Sequence, residues 1–517
     1  MGFDSERPIA PDGSLAGWLE AGLDAAAFLF LPILVLAPRG LAALAAIAGA
    51  MAAGLVLARR SAVFPSPPVR GEREGPIAQR WGGEVGASAS EASEVLNPGS
   101  GPGQALTPAL SAPGGGEGEG CEASAPSHRH SRESGNPCPA RRHPVLDPRG
   151  AGESATRPDA ILACAFALLA ALAAWGLVSA LWSVEPWRSV SLALRLSGMF
   201  AAALALAAAS RALAAPRRLM LFFLLGLALG VALAGIEFVS HGALIAPLLT
   251  RRFRLPALNH ASLALAFLLL PAAASLSGQR RPALAAVVSA AIIATVFALV
   301  GAAAKIALLA SLPIAALVFA RRRAACRIAA GLAALVIVTA PLTFPRLAGI
   351  PAVVAATDAW GGHLEDSGLH RLLIWSFSGD RIAERPFLGW GLDSSRNIPG
   401  GKDEIRPAQN WMPLHPHNAA LQAWLELGVP GAALTALLAA LLWLGIAAAP
   451  WPRLYAAAAA GSLSSAFVAS LGTYGLWQEW WLGTLALALF LILVLARAAE
   501  PAPAAERAAR SAVEFAE

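Results

Sequence analysis

Residues 413–431 read PLHPHNAALQAWLELGVPG and join a polar segment to a long apolar run. If a helix begins at Asn418, then Asn418, Gln422 and Glu426 follow one another at i, i+4 and i+8 on one face. His417, Leu421 and Leu425 would lie on the adjacent face of the same helix. A line of polar side chains that enters a bilayer is costly unless it faces a cavity or partner groups. The stretch therefore predicts an active site at the boundary between water and membrane.

The composition of the chain indicates a membrane protein. It has 517 residues, of which 56% are hydrophobic and only 14% charged, and its mean hydropathy is +0.59. Many apolar runs reach the ~20 helical residues that cross a hydrocarbon core of ~30 Å. These Ala- and Leu-rich runs lack the alternation of a membrane β-barrel strand. The sequence predicts an all-α polytopic membrane protein with about twelve transmembrane helices and one large periplasmic loop.

The apolar runs divide the chain into predicted segments. They lie at about 19–37, 40–58, 160–182, 192–214, 218–237, 256–276, 282–300, 302–320, 326–342, 418–448, 454–473 and 476–497. The predicted parts are two helices in 1–58, an insertion in 59–158, helices three to nine in 159–342, a loop in 343–417, three helices in 418–497 and a tail in 498–517. The insertion is rich in Pro, Gly, Ser, Glu and Arg and has no hydrophobic periodicity, so it is predicted to be disordered.

The basic residues predict the orientation in the membrane. The formal net charge is +6, and the arginine pairs mostly follow even-numbered predicted spans. By the positive-inside rule, both termini and the 59–158 insertion are cytoplasmic, and the 343–417 loop is periplasmic. No nucleic-acid motif accompanies the positive charge, so membrane lipid is the expected partner and nucleic acid is not. The four cysteines contain no CxxC pair and predict no disulfide framework, and the acidic N-terminus predicts no cleaved signal peptide.

Several cations break the orientation rule, because they are predicted on the outer side. Arg251, Arg252 and Arg254 precede the sixth span, Lys305 lies just inside the eighth, and Arg371 lies in the outer loop. A Lys within a span costs ~2.5–3.5 kcal/mol on insertion scales. An anionic partner such as a diphosphate would offset that cost, since Arg offers bidentate hydrogen bonds and Lys a point charge. The alternatives are contacts with lipid headgroups and snorkelling of Lys305 to the interface.

The His-centred stretch resembles the O-antigen ligase and O-antigen polymerase superfamily of bacterial envelope proteins. Its motif is a His, then Asn, Ser or Gln, nine residues, Gly, two residues, and a small residue or Tyr. His417, Asn418, Gly428 and Gly431 match this spacing in full. The resemblance covers roughly residues 160–497 and implies a multi-pass, GT-C-like fold in the bacterial inner membrane.

Two further segments carry the resemblance. HRLLIWSFSGDRIAERPFLGWGLDSS is similar to the superfamily's Arg-then-Trp segment and its Pro-x-x-Gly-x-Gly turn. The matching residues are Arg371, Trp375, Pro386, Gly389 and Gly391. FRLPALNHASLALAFLLLP is similar to the first basic site, which puts Arg254 in that role. Many members have Ser-Arg-Gly-Ala near the eighth span, where this chain reads AAAKIALLA, so Lys305 keeps the charge and loses the guanidinium fork.

The resemblance implies glycosyl transfer from undecaprenyl diphosphate to an acceptor hydroxyl, such as a lipid A-core sugar. An imidazole with a pKa near ~6.5 can take the proton of an alcohol, which predicts His417 as the base. Arg254, Arg371 and Lys305 are predicted to bind the diphosphate, with no metal or cofactor. His415, Asn418, Gln422 and Glu426 are candidate substrate contacts. The alternative for each is structural: orientation of the base, a helix cap, or hydrogen bonds between helices.

Other functions stay open from the sequence. A polymerase would use the same lipid-linked donor, and the sequence does not separate it from a ligase. A transporter or flippase of an anionic glycolipid would also need polar residues and cations in the membrane. Against it, the hydropathy shows no internal repeat, and the outer loop is long for a permease. A structural scaffold leaves His417 and the outer cations unexplained. Tryptophans such as Trp182, Trp187, Trp411, Trp477, Trp480 and Trp481 are interpreted as an aromatic belt at the interface.

Overall fold

The computed structural model describes residues 14–63, 157–248, 255–361, 367–406 and 409–498. Arg254 and most of the 59–158 insertion lie outside these residues, as does the tail after residue 498. The described residues form thirteen α-helices and one short antiparallel pair of strands, β1 (Glu404–Arg406) and β2 (Gln409–Asn410). The helices are α1 (Leu15–Leu36), α2 (Gly40–Val63), α3 (Arg157–Val178), α4 (Pro186–Ala212), α5 (Pro216–Val239), α6 (Asn259–Gly278), α7 (Pro282–Ala298), α8 (Ala302–Thr343), α9 (Pro351–Gly361), α10 (Ser367–Glu384), α11 (Ala419–Ala448), α12 (Arg453–Ser470) and α13 (Glu479–Ala498).

The predicted all-α polytopic membrane architecture is confirmed. Within the described residues, nine helices are long and apolar enough to cross a membrane: α1 to α6, α8, α11 and α13. Helix α8 holds two of the predicted segments, 302–320 and 326–342, in one run of 42 residues. Helices α7 and α12, with 17 and 18 residues, account for the remaining two. All twelve predicted hydrophobic segments are therefore helical.

Helix α8 changes direction where the sequence predicts a loop between two spans. Arg321 has non-helical backbone angles, φ −137° and ψ 56°. The next side chain, Arg322, donates to the backbone carbonyls of Ile446 (2.8 Å) and Trp451 (2.9 Å) and also to that of Ala449. These carbonyls belong to the end of α11 and the connection to α12, where no further turn of helix satisfies them. The guanidinium therefore caps α11 from the bend in α8.

The helices pack around several apolar clusters. Helix α8 lies against α11 and α12, α1 against α5, and α2 against α4. The largest fully buried side chains of the main cluster include Phe30, Phe223, Phe267 and Trp481. The packing of α8, α11 and α12 matters for function, because it places the start of α11 beside the end of α12.

Most of the 343–417 segment packs as a layer over the start of α11. It contains α9, α10 and the strand pair. The apolar side of α10, with Ile374 and Ile382, joins a buried cluster with Trp390, Leu421 and Leu425. The layer thus covers the first turns of α11 with apolar side chains, and it positions the side chains of α10 around the His-centred stretch.

Helix α11 is broken at Gly428, where another part of the chain crosses it. Gly428 has φ 62° and ψ −156°, a conformation open to glycine almost alone. A Cβ on Gly428 would lie 2.3 Å from the Phe387 carbonyl oxygen, and one on Gly389 (φ 69°) would lie 2.6 Å from the Glu426 carbonyl. The two backbones are therefore in contact, and only glycine fits at both positions.

Backbone hydrogen bonds hold this crossing together. The Trp390 N–H donates to the Leu425 carbonyl (2.9 Å), and the Val429 N–H donates to the Pro386 carbonyl (3.0 Å). The Gly391 N–H donates to the Glu426 carbonyl at 2.8 Å. The break in α11 would leave these peptide groups without helical partners, and the crossing segment satisfies them. The Pro-x-x-Gly-x-Gly turn and the Gly428 segment of the His motif thus pack directly against each other.

The crossing predicts a specific loss of stability. Gly428→Ala should lower the free energy of unfolding by about 1–3 kcal/mol from backbone strain alone, and the clash with Phe387 should add to it. Thermal unfolding of the purified protein in detergent measures the change. Gly331→Ala is the matched control, since Gly331 lies within α8 and has nothing within 4 Å of a new Cβ. Equal stability of the two variants would contradict the proposed requirement for glycine at 428.

Candidate active site

His417 lies directly before α11 in a fixed orientation. Its backbone is in the left-handed region, with φ 55°, and its N–H donates to Nδ1 of His415 at 3.2 Å. The Nδ1 of His417 itself makes a short hydrogen bond to the carbonyl oxygen of Thr473. A carbonyl only accepts, so Nδ1 carries the proton, and Nε2 of the neutral ring is left as an acceptor.

The surroundings of both histidines keep the rings neutral at pH 7. Burial lowers the pKa of His417 to about 4, and the positive charge of Arg371 adds to this effect, whereas the Thr473 carbonyl opposes it. Burial lowers the pKa of His415 to about 3, helped by the charges of His417, Arg396 and Arg371. A neutral imidazole with an unprotonated Nε2 is the form that a general base requires.

Helix α10 brings Arg371 to the same place. Trp375 donates its Nε1–H to the Pro416 carbonyl at 2.9 Å, which fastens α10 to the residue before His417. Arg371 lies four residues earlier, on the same face of α10. Its charge lowers the pKa of His417, His415 and Tyr474, so it lies within electrostatic reach of all three.

The guanidinium of Arg371 is largely buried, and burial lowers its pKa, although an arginine stays charged in proteins. Among the described residues, Arg371 forms no ion pair with a carboxylate. A buried cation without a carboxylate partner is costly, and an anionic ligand would offset that cost. The structure thus places Arg371 close to His417, while their roles as diphosphate ligand and base stay predictions.

The polar line on α11 is buried as one connected group. Asn418 caps the helix, because its Oδ1 accepts from the Leu421 N–H at 3.1 Å. Its Nδ2 is buried with no hydrogen-bond partner among the described residues. Gln422 accepts from the Leu476 N–H at 2.7 Å and donates to Glu426 at 3.0 Å.

Glu426 is fully buried and receives four hydrogen bonds. Besides Gln422, the donors are the Asp393 N–H (2.7 Å), the Ser395 hydroxyl (2.5 Å) and the Trp477 Nε1–H (2.8 Å). These groups come from α11, from the segment after Gly391, and from the segment between α12 and α13. The arrangement favours the structural alternative for Gln422 and Glu426, while contact of either residue with a substrate stays a prediction.

The remaining predicted cations are less well placed. Lys305 is partly buried in the first turn of α8, one turn after Gly301. A Cβ on Gly301 would lie 3.1 Å from Oδ1 of Asn259, so the starts of α6 and α8 meet. Within the described residues, Lys305 has no hydrogen bond or ion pair with the His417 cluster. Its place in an anion site stays a prediction, as does that of Arg254, which lies outside those residues.

Sequence reasoning missed the segment between α12 and α13. Trp477 is buried and bonded to Glu426, so its interpretation as part of an aromatic belt was wrong; Trp480 and Trp481 are buried as well. Thr473 takes part through its backbone carbonyl, which no side-chain pattern reveals. The sequence did contain one indication of this segment. The run TYGLWQ at 473–478 places several polar and aromatic residues between two apolar segments.

Comparison with known proteins agrees with this geometry. Residues 287–436 match the sequence model of the O-antigen ligase family, a range that includes Lys305, Arg371 and the complete His motif. The resemblance to the O-antigen ligase and polymerase superfamily is confirmed. The matched range also contains the crossing of the Pro-x-x-Gly-x-Gly turn with α11, so the superfamily motifs and the contacts described above coincide.

Curated relatives point to the same superfamily. A candidate polysaccharide ligase of Rickettsia conorii is 33% identical over 171 residues, which is 32% of this chain and 41% of the relative. One of Rickettsia prowazekii is 34% identical over 140 residues, 25% of this chain and 33% of the relative. The chain thus spans about two fifths or less of the length of these relatives. No solved structure significantly matches the chain.

The role of Glu426 can be tested by stability. Glu426→Gln keeps the shape of the side chain but replaces one carboxyl oxygen by an –NH₂ group. This group cannot accept, so the four donors are left with a single acceptor oxygen. Unsatisfied buried donors cost about 1–3 kcal/mol, so the free energy of unfolding should fall by that amount. Thermal unfolding in detergent is the measurement, with Glu404→Gln, at an exposed position, as the control. Unchanged stability of Glu426→Gln would contradict the need for an acceptor of four hydrogen bonds at this position.

Proposed function

We propose that this chain is a ligase-type glycosyltransferase of the bacterial inner membrane. It moves a glycan from undecaprenyl diphosphate to the hydroxyl of an acceptor, a lipid A-core sugar, on the periplasmic face. The observation that carries this proposal is the ring of His417, whose Nδ1–H donates to the Thr473 carbonyl so that Nε2 is left as an acceptor. Near this ring lies Arg371, which forms no ion pair with a carboxylate among the described residues. A base for an alcohol and a cation for a diphosphate are the two groups that this transfer needs.

The acceptor side of the reaction depends on His417. The acceptor hydroxyl attacks the anomeric carbon of the glycan while its proton passes to Nε2. As the proton arrives, the ring becomes an imidazolium, and the Nδ1–H bond to the Thr473 carbonyl stabilises the added charge. The low pKa of His417 makes it a weak base, but one that is neutral at every pH near 7.

The donor side depends on the cations. The bond between the anomeric carbon and the diphosphate oxygen breaks, and its electron pair stays on the diphosphate. A guanidinium in a dry site stabilises this developing charge with charge-assisted, bidentate hydrogen bonds. Arg371 supplies it, and Arg254 and Lys305 complete the diphosphate site in this proposal. Among the described residues, no three His, Cys, Asp or Glu side chains come together as metal ligands; independence from metal stays a prediction.

The ligase is favoured over the polymerase by the relatives, which carry polysaccharide ligase names. Both reactions use the same donor and differ in the acceptor, which is a lipid-linked repeat unit for a polymerase. The base and cations described above serve either acceptor. The choice therefore depends on which glycan accumulates when the protein is removed.

Deletion of the gene tests the function in the cell. Gel analysis of lipopolysaccharide should show loss of the long-chain ladder, with polymerised glycan accumulating on the polyprenyl carrier. A single repeat unit still attached to the core would replace the ligase assignment with a polymerase. An unchanged ladder would contradict the lipid A-core sugar as acceptor. Complementation with the intact gene is the control.

The role of Arg371 is tested by donor binding. Arg371→Ala should weaken binding of the diphosphate-linked donor about 30-fold or more, since a charge-assisted hydrogen bond contributes about 2 kcal/mol. Arg371→Lys should recover only part of this, because an ammonium lacks the guanidinium fork. Arg381→Ala is the matched control on the same helix, where Arg381 is paired with Glu384 at 2.5 Å. Unchanged affinity of Arg371→Ala would remove Arg371 from the site.

A further inference from the structure

The loop formed by residues 473–478, TYGLWQ, connects α12 and α13 and lies outside the range 287–436 that matches the ligase family. It nevertheless contacts the His-centred stretch along most of its length. The Leu476 N–H donates to Gln422, and the Trp477 Nε1–H donates to Glu426. Both acceptors are buried side chains of α11, so these bonds fix the middle of the 473–478 loop against that helix.

The two ends of the loop contact the histidines. Thr473 accepts the Nδ1–H of His417 with its backbone carbonyl. The side-chain amide of Gln478 lies 3.1 Å from Nε2 of His415. Between them, Gly475 packs on the ring of His415, because a Cβ there would lie 2.9 Å from Cδ2 and 3.0 Å from Cγ. Each histidine is thus in contact with the loop.

An aromatic cluster anchors the loop on its other side. The ring of Tyr474 stacks on His260 with centroids 5.2 Å apart, and it meets Trp480 edge-on at 4.5 Å. His260 is the second residue of α6, which follows the segment predicted to contain the first basic site. The 473–478 loop therefore lies between the start of α6 and the start of α11, and its backbone cannot move without disturbing contacts on both.

We propose that the 473–478 loop is the positioning element of the active site, and that the Thr473 carbonyl sets the tautomer of His417. The carbonyl follows the end of α12, where backbone acceptors lack helical partners and the helix dipole is negative. The Thr473 carbonyl is therefore a good acceptor for the Nδ1–H of the His417 ring. With the proton held on Nδ1, Nε2 faces the acceptor hydroxyl. The inference rests on the proposed glycosyl transfer for its catalytic meaning, while the tautomer is a property of the resting protein.

Other charged groups around His417 do not supply this orientation. His370 and Arg371 on α10 act on its ring through charge, and both lower its pKa. His415 accepts from the backbone N–H of His417 and not from its ring. The nearby Tyr474 is buried, and burial raises the pKa of its hydroxyl, so it stays neutral. Among the described residues, Thr473 alone accepts a hydrogen bond from the ring.

Gly475→Ala tests the proposal, because its methyl group would push against His415 and displace the loop. Gly472→Ala is the matched control: Gly472 has nothing within 4 Å of a new Cβ, and neither glycine has a positive φ. The protein is labelled with ¹⁵N-histidine in lipid, and the His417 signals are identified by their loss in His417→Ala. Imidazole nitrogen shifts then report the tautomer and the pKa of His417 without any turnover.

The wild type and Gly472→Ala should show Nδ1 protonated and Nε2 unprotonated at pH 7. Gly475→Ala should populate the other tautomer and lower the pKa of His417 further, because it loses the Thr473 hydrogen bond that raises this pKa. It should also lower kcat about 10-fold or more, with KM for the donor nearly unchanged. Trp477→Phe keeps an aromatic ring but removes the Nε1–H bond to Glu426. It should shift the tautomer, the pKa and kcat in the same directions if Gly475→Ala does not fold.

Two results would overturn the proposal. One is a proton on Nε2 of His417 in the wild type. The other is a tautomer, pKa and kcat in Gly475→Ala and Trp477→Phe that equal those of the wild type. If the predicted tautomer is found but the purified protein transfers no glycan, the positioning by the loop stands and the proposed function fails.

Discussion

The buried carboxylate of Glu426 is the interaction on which the site depends. A carboxylate removed from water is costly unless its oxygens accept hydrogen bonds, and here each oxygen receives two. The donors come from three separate segments, so the carboxylate joins α11, the turn after Gly391 and the 473–478 loop. Loss of any one donor would leave one buried oxygen of Glu426 with a single hydrogen-bond partner. The same requirement explains why these segments converge beside His417.

The backbone crossing makes this convergence possible. Because Gly389 and Gly428 have no side chains, the turn at 386–391 can lie against the broken part of α11. The turn then carries the Asp393 N–H and the Ser395 hydroxyl to Glu426. Trp477, which donates to Glu426, belongs to the same loop as Thr473. The Thr473 carbonyl in turn accepts from the ring of His417. Stability of the fold and orientation of the His417 ring thus depend on one connected set of contacts.

The sequence predicted the membrane helices, and it singled out His417 and Arg371, which the structure places near each other. Hydropathy located the apolar segments, because bilayer thickness fixes their length. The resemblance paired Arg371 with His417, and the structure brings them together. It did not reveal how the two halves of α8 meet at the Arg321 bend, since Arg322 there bonds to carbonyls more than a hundred residues later in the chain. Thr473 was missed for a similar reason: a backbone carbonyl carries no side-chain signature.

The central claim is that His417 is the base of a transfer from a lipid diphosphate. The direct measurement compares the wild type and His417→Ala in lipid, with undecaprenyl-diphosphate-linked glycan and a lipid A-core acceptor. Donor binding and glycosylated acceptor are measured on the same preparations. If the claim holds, His417→Ala binds the donor with nearly wild-type affinity and forms at least 100-fold less product, as expected when a general base is removed. Turnover by His417→Ala close to that of the wild type would contradict it.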